Sequence, residues 1–269
     1  MNQKTPADLL FEEYLVDAGL TGFRYDEPLR GSLKVPDYQV LWHSQPHLFE
    51  VKGFDRKLEP GFAAIDPYPP IRKKITKAVE KFKDLEAYPC SLVLHYAGPG
   101  LILLEPYIIL GAMLGKLAFE IPIARDGSGL DDGPVRNVFT TGGRMLNYAK
   151  DGLPVESQNT TISAIIVVER YPLGENRFSQ YYDGLENTAG RKLSIEECYA
   201  EVVRCRGTDL DVSLTTVRCV VHENPFARMP LPRDLFVGPY DERYGSKGEG
   251  WIRRVFAGVE VAKFDVAET

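Results

Sequence analysis

The chain has 269 residues, of which 44% are apolar and 26% charged, with a formal charge of −6. A chain of this length buries roughly 70–75% of its unfolded surface, so it needs no disulfide or structural metal to fold. Net acidity excludes a surface that is basic all over but permits a local basic groove, and 24 Gly with 19 Pro exclude collagen and wholesale disorder.

The predicted elements begin with a helix. Thr5 is placed to cap it, Pro6 suits its first position, and Asp8 completes a capping box three residues after the cap. Leu10, Phe11, Tyr14, Leu15 and Ala18 recur at helical spacing and form the expected inward stripe. Asp8, Glu12, Glu13 and Asp17 share the remaining surface, and Gly19 is the expected stop. Residues 23–25 predict a short strand. Residues 35–43 and 48–54 predict two more, joined by the turn formers Ser44-Gln45-Pro46. A loop stiffened by prolines leads into a helix over 71–86, with Ile71, Ile75, Ala78, Val79, Phe82 and Leu85 inward. Residues 91–96 read as a buried strand. The order is thus helix, three strands, helix, strand.

Farther along, the patterns predict a helix over 107–117, a Gly- and Asp-rich loop over 125–143 and a β-branched strand over 161–169. A helix over 194–204 and a strand over 214–221 follow. Residues 224–240, with four prolines, are irregular, and 251–264 form a closing strand. These elements make an α/β fold with a mixed central sheet flanked by helices. Residues 1–124 carry the core with its hairpin, and residues 125–269 continue and elaborate the same domain.

Cys90, Cys198, Cys205 and Cys219 show no C-x-x-C and no zinc-ribbon spacing, which fits a reducing compartment. The first residues lack the basic-then-apolar pattern of a signal peptide. Residues 91–115 are the greasiest, yet Gly98-Pro99-Gly100 and Glu105-Pro106 interrupt them, so no apolar span of about 20 residues exists. The expected setting is a soluble protein of the cytoplasm with no membrane partner.

The chemistry concentrates in Pro36-Asp37, followed twelve residues later by Glu50-Val51-Lys52. With the turn centred on Ser44-Gln45, Asp37 falls opposite Lys52 and Glu50 opposite Gln39. A shift of the turn by one residue changes the partners but keeps Asp37, Glu50 and Lys52 on one face, because strand side chains alternate with period two. Tyr38, Val40, Phe49 and Val51 then face the other way, into packing. Two close carboxylates raise each other's pKa unless a cation sits between them. A hard divalent ion such as Mg2+, with Mn2+ as a substitute, accepts two carboxylates plus waters, and the carbonyl of Val51 could add a ligand. Lys52 could orient the attacking water or neutralise developing charge.

These residues resemble the PD-(D/E)XK nuclease superfamily, with its restriction-endonuclease-like fold. Pro36-Asp37 matches the first half of the motif and Glu50-Val51-Lys52 the second, and the flanking helix and strand order matches over about residues 5–96. The resemblance implies a metal-dependent nuclease that hydrolyses phosphodiester bonds. Asp37 and Glu50 would bind the metal and Lys52 would serve the water. A carboxylate of the first helix often completes such a site: Glu12 is the first choice, Glu13 the second and Asp8 the third. The expected partner is nucleic acid, DNA ahead of RNA, with a homodimer or a protein partner left open.

Between residues 72 and 83, six Lys or Arg face one acid, a stripe able to follow phosphates, with Lys73, Lys74 and Lys77 as candidate contacts. Two other function classes stay open. One is a catalytically silent nucleic-acid-binding or assembly module, and the other is a metal-dependent hydrolase of a small phosphorylated substrate. His43 and His47 flank a turn and make a poor zinc pair. His95 reads as a core histidine, and Thr140 to Arg144 as a glycine turn.

Overall fold

The computed structural model describes residues 3–29, 35–54, 66–96, 104–120, 136–148, 154–172, 215–246, 251–256 and 259–265. The first helix, α1 (Pro6–Asp17), starts as its sequence dictates. The Thr5 hydroxyl accepts from the Asp8 amide at 3.3 Å, and the Asp8 carboxylate accepts from the Thr5 amide at 2.8 Å. Leu10, Phe11, Tyr14 and Leu15 are buried, whereas Ala18 falls past the last turn and is exposed. Gly19 follows with φ +74°, a conformation that costs glycine little.

The short β1 (Arg24–Tyr25) pairs antiparallel with β2 (Tyr38–Trp42), which pairs antiparallel with β3 (Gln45–Phe54). The helix α2 (Tyr68–Phe82) then crosses over to β4 (Cys90–Tyr96), parallel to β3. This is the helix, three strands, helix, strand order read from the sequence. α2 begins before the expected Ile71, because Pro69 and Pro70 lie in its first turn, where missing N–H groups leave no bond unmade.

The hairpin turn differs from expectation. It is two residues long, at His43 (φ +48°) and Ser44 (φ +65°), and β3 already starts at Gln45. Positive φ at both central residues matches the right-handed twist of the flanking strands. Pro46 opposes Leu41, one step beyond the bonded pair that closes the turn, so its missing N–H costs the hairpin no bond.

After β4 comes α3 (Pro106–Leu114), shorter than the expected 107–117 because Gly115 takes φ +129° and ends it. The chain turns there into β5 (Gly115–Glu120), which pairs with β6 (Arg136–Gly142) in a separate two-stranded sheet. Residues 136–142 were expected in a loop; ladder pairing to β5 overrides their weak local pattern. A second small sheet joins β7 (Leu146–Tyr148) and β8 (Pro154–Ser157).

The main sheet resumes with β9 (Ile162–Pro172), β10 (Thr215–Glu223), β11 (Glu242–Ser246), β12 (Trp251–Phe256) and β13 (Val259–Asp265). Its order is β1-β2-β3-β4-β9-β10-β11-β12-β13, and it is mixed. β4 and β9 are parallel, as are β10 and β11, while β11, β12 and β13 alternate in direction. The expected single closing strand is therefore two antiparallel strands. The helix expected over 194–204 lies outside the described residues.

The fold is α/β, and α1 packs on one sheet face through Phe11, which meets Tyr38 and Phe49. The other face carries α2 and α3, whose Ile71, Ile75, Ile109 and Met113 share one core with Leu48, Leu92 and Leu94. No helix among the described residues is long and apolar enough to cross a membrane. Met1–Glu169 with Cys219–Thr269 form one compact unit and Arg170–Arg218 a second. In the second, the Arg218 guanidinium lies 4.0 Å from the Tyr171 ring centroid.

Candidate active site

Strand alternation assigns the two faces of the β2–β3 hairpin. Tyr38, Val40, Phe49 and Val51 are all buried on the α1 side, where Phe11 meets the Tyr38 ring edge-on at 5.4 Å. Asp37, Glu50 and Lys52 share the opposite parity and the α2 side. The pairing runs to Tyr38↔Phe49, so one further step sets Asp37 against Glu50, not against Lys52 as the expected turn required. The shorter turn moved the register by two, and an even shift keeps every side chain on its face.

Asp37 extends the ladder with its side chain. Its Oδ2 accepts from the Val51 amide at 2.8 Å, and its own carbonyl accepts from the Asp26 amide at 3.0 Å. Val51, expected to offer a carbonyl ligand, thus meets Asp37 through its N–H.

Two ammonium groups bind both carboxylates. Lys52 Nζ lies 2.6 Å from Glu50 Oε1 and 3.2 Å from Asp37 Oδ2. Lys81 Nζ lies 2.7 Å from Asp37 Oδ1 and also pairs with Glu50 Oε2. Glu50 is 6% exposed at its side chain, against 22% for Asp37, 26% for Lys81 and 35% for Lys52. The cluster is therefore floored by Glu50 and open to solvent through the other three. The sequence pattern places Lys81 only within the polar face of α2. Its position carries a signal all the same: Lys74, Lys77 and Lys81 fall within about 60° of arc on a 3.6-residue helix. The crossover lays that arc along β3.

The charges act on one another. Burial pushes the Asp37 carboxyl up, but the Lys81 hydrogen bond, the Lys52 and Lys81 charges and the Val51 amide outweigh it, and the net direction is down. Glu50 goes the other way: burial and the charge of Asp37 raise it, and the lysines offset this only in part. For Lys52, burial favours the neutral amine, yet its bond to Glu50 and the charges of Glu50 and Asp37 carry the net direction upward. Asp37 is the firmly ionised member of the pair.

The donor set fits a hard divalent ion. Asp37 and Glu50 converge closely enough for one ammonium to touch both, and Glu50 Oε2, buried, accepts no aligned hydrogen bond among the described residues. Two carboxylates completed by waters suit Mg2+ or Mn2+. No cluster of three His, Cys, Asp or Glu with metal-binding geometry occurs among the described residues.

Two of the acids of α1, Glu12 and Asp8, are engaged away from the cluster. Glu12 pairs with Lys4 at 2.5 Å and accepts from the Tyr38 hydroxyl at 3.1 Å, while Asp8 closes the helix cap. Lys73 and Lys77 are exposed on α2. Lys74 donates to the Gly53 carbonyl at 2.7 Å and lies 4.6 Å over the Phe54 ring, so it ties α2 to the end of β3. His95 Nδ1 reaches the Val168 carbonyl at 3.0 Å, in keeping with a core histidine. His43 pairs with Asp234 at 2.6 Å on the surface, while His47 is buried on β3.

No protein-family model matches the chain, and neither a curated protein nor a solved structure does. The site therefore rests on its own geometry.

Proposed function

We propose that this chain is a divalent-metal-dependent phosphodiesterase acting on nucleic acid, DNA ahead of RNA, built on a core of PD-(D/E)XK type. One observation carries the reading: Asp37, immediately before β2, and Glu50, on β3, converge on one point together with Lys52. The βαβ crossover behind them supports it, as does the exposed pair Lys73 and Lys77 on the same helix as Lys81. Cys90 and Cys219 are buried free thiols, which supports a reducing setting such as the cytoplasm.

Asp37 and Glu50 would hold the metal, which when bound would supply Lewis acidity and a more acidic water. Lys52, within reach of both carboxylates, orients the attacking water or neutralises charge at phosphorus. In the reaction a water oxygen bonds to phosphorus while that water gives up a proton to solvent, the bond from phosphorus to the leaving oxygen breaks, and the leaving oxygen takes a proton from solvent. The lysine stripe follows the flanking phosphates.

The test is cleavage of varied DNA and RNA with Mg2+, Mn2+ or a chelator. Cleavage should require metal and vanish in Asp37→Ala and Glu50→Ala, whereas Lys52→Ala should keep metal binding and lose rate. Metal-independent cleavage, or full activity in Asp37→Ala, refutes the mechanism.

A second reading, a silent nucleic-acid-binding or assembly module, is favoured by the charge balance of the cluster. Two carboxylates and two ammonium groups cancel, as in a purely structural ion network. Metal-independent binding without cleavage on every substrate would select it.

A further inference from the structure

We infer that Lys81 and a divalent cation compete for the same carboxylate oxygens, so that Lys81 is a positioning residue that closes the metal-free site and is handed to the substrate phosphate when metal enters. This rests on reading Asp37 and Glu50 as metal ligands. Each of the four carboxylate oxygens lies against an ammonium: Lys52 takes Asp37 Oδ2 and Glu50 Oε1, and Lys81 takes Asp37 Oδ1 and Glu50 Oε2. A divalent ion placed between the same oxygens is repelled by both ammonium groups, and its binding is favoured when one of them withdraws.

The oxygens decide which. Asp37 Oδ2 also accepts the Val51 amide, so removing Lys52 still leaves that oxygen hydrogen-bonded. Asp37 Oδ1 and Glu50 Oε2 pair with Lys81, and Glu50 Oε2 accepts no aligned hydrogen bond among the described residues. Withdrawal of Lys81 alone thus frees one oxygen on each carboxylate, the pair a single ion needs. The two lysines carry the same flexible four-carbon stem, but Lys52 is anchored two residues from Glu50 on the same strand, whereas Lys81 reaches across from α2.

Charge supports the exchange. The metal-free cluster is neutral, and a divalent ion adds two positive charges. A phosphodiester together with an attacking hydroxide brings two negative ones, so neutrality returns with Lys81 turned toward the phosphate. A site balanced at both ends of the cycle needs both lysines; Lys52 alone would leave the metal-free pair of carboxylates with a net negative charge.

The experiment measures Mn2+ affinity of the purified full chain, without nucleic acid, from the spin-resonance signal of free Mn2+. Lys81→Met should bind Mn2+ at least about tenfold tighter than wild type, a change of about 1.4 kcal/mol. Lys81→Gln gives the same reading from a variant with a polar side chain, and Lys81→Arg, which keeps the competing cation, should stay within about threefold of wild type. Equal or weaker Mn2+ affinity in both Lys81→Met and Lys81→Gln overturns the inference. Asp37→Ala in the Lys81→Met background separates it from the underlying reading. Loss of Mn2+ binding there supports Asp37 as ligand whatever Lys81 does, and undiminished binding overturns both.

Discussion

Acid should destabilise this protein through His222 in particular. The imidazole is fully buried on β10, stacked on Tyr244 at 5.0 Å with 3° between the rings. Its Nδ1 lies 3.3 Å from the Ile165 carbonyl, and its Nε2 has no hydrogen-bond partner among the described residues. Burial, opposed by the Ile165 carbonyl and the charge of Glu242, holds its pKa down at about 4 against an ordinary 6.5. The unfolded chain therefore takes up a proton between pH 6.5 and 4 that the folded chain refuses. Stability is fully present above pH 6.5 and is lost as pH falls toward 4. The loss amounts to about 2 kcal/mol at pH 5 and about 3 kcal/mol at pH 4, at 1.36 kcal/mol per pKa unit. Urea midpoints measured across pH 7.5 to 4.5 on wild type and His222→Leu give the contribution by difference, because every other titrating group is common to both. The variant should lose some stability at neutral pH but follow a flatter pH profile. Parallel profiles would show that His222 protonates freely in the folded state and refute the reasoning.

Salt provides the next test: Lys73→Ala with Lys77→Ala should weaken nucleic-acid binding across sequences and flatten the salt dependence by about one unit of slope for each phosphate no longer neutralised. An unchanged slope returns the stripe to ordinary solvated surface. Asp241 is buried and accepts from the Tyr14 hydroxyl at 2.5 Å, the Gly238 amide at 2.6 Å and the Cys219 amide at 2.8 Å. Asp241→Ala strands two buried donors and a half-buried one and should cost about 3 kcal/mol by urea unfolding, against about 1 kcal/mol for Tyr14→Phe. Equal costs for the two would mean that the backbone amides find other acceptors.

Local signals determined much of this protein in advance. The capping box at Thr5 and Asp8 needs only residues three apart, and the inward stripe of α2 needs only helical periodicity. The shared face of Asp37, Glu50 and Lys52 follows from period-two alternation, which is why it survived an error in the turn. The register did not. His43 and Ser44 adopt positive φ because strand twist demands it, and nothing in their side chains competes with the stronger turn signal of Pro46. The partners of an acid were also beyond local reading: Glu12 lies on the helix that precedes the motif, yet Lys4 and Tyr38 hold it on the far side of β2. Lys81 follows the motif, 31 residues from Glu50 in the chain, and is in contact with it in space. Only the parallel β3–α2–β4 crossover sets the last turn of α2 over that carboxylate. Strands such as β6 and β11 likewise exist because a neighbouring strand completes their backbone hydrogen bonds, and that neighbour is a property of the folded chain.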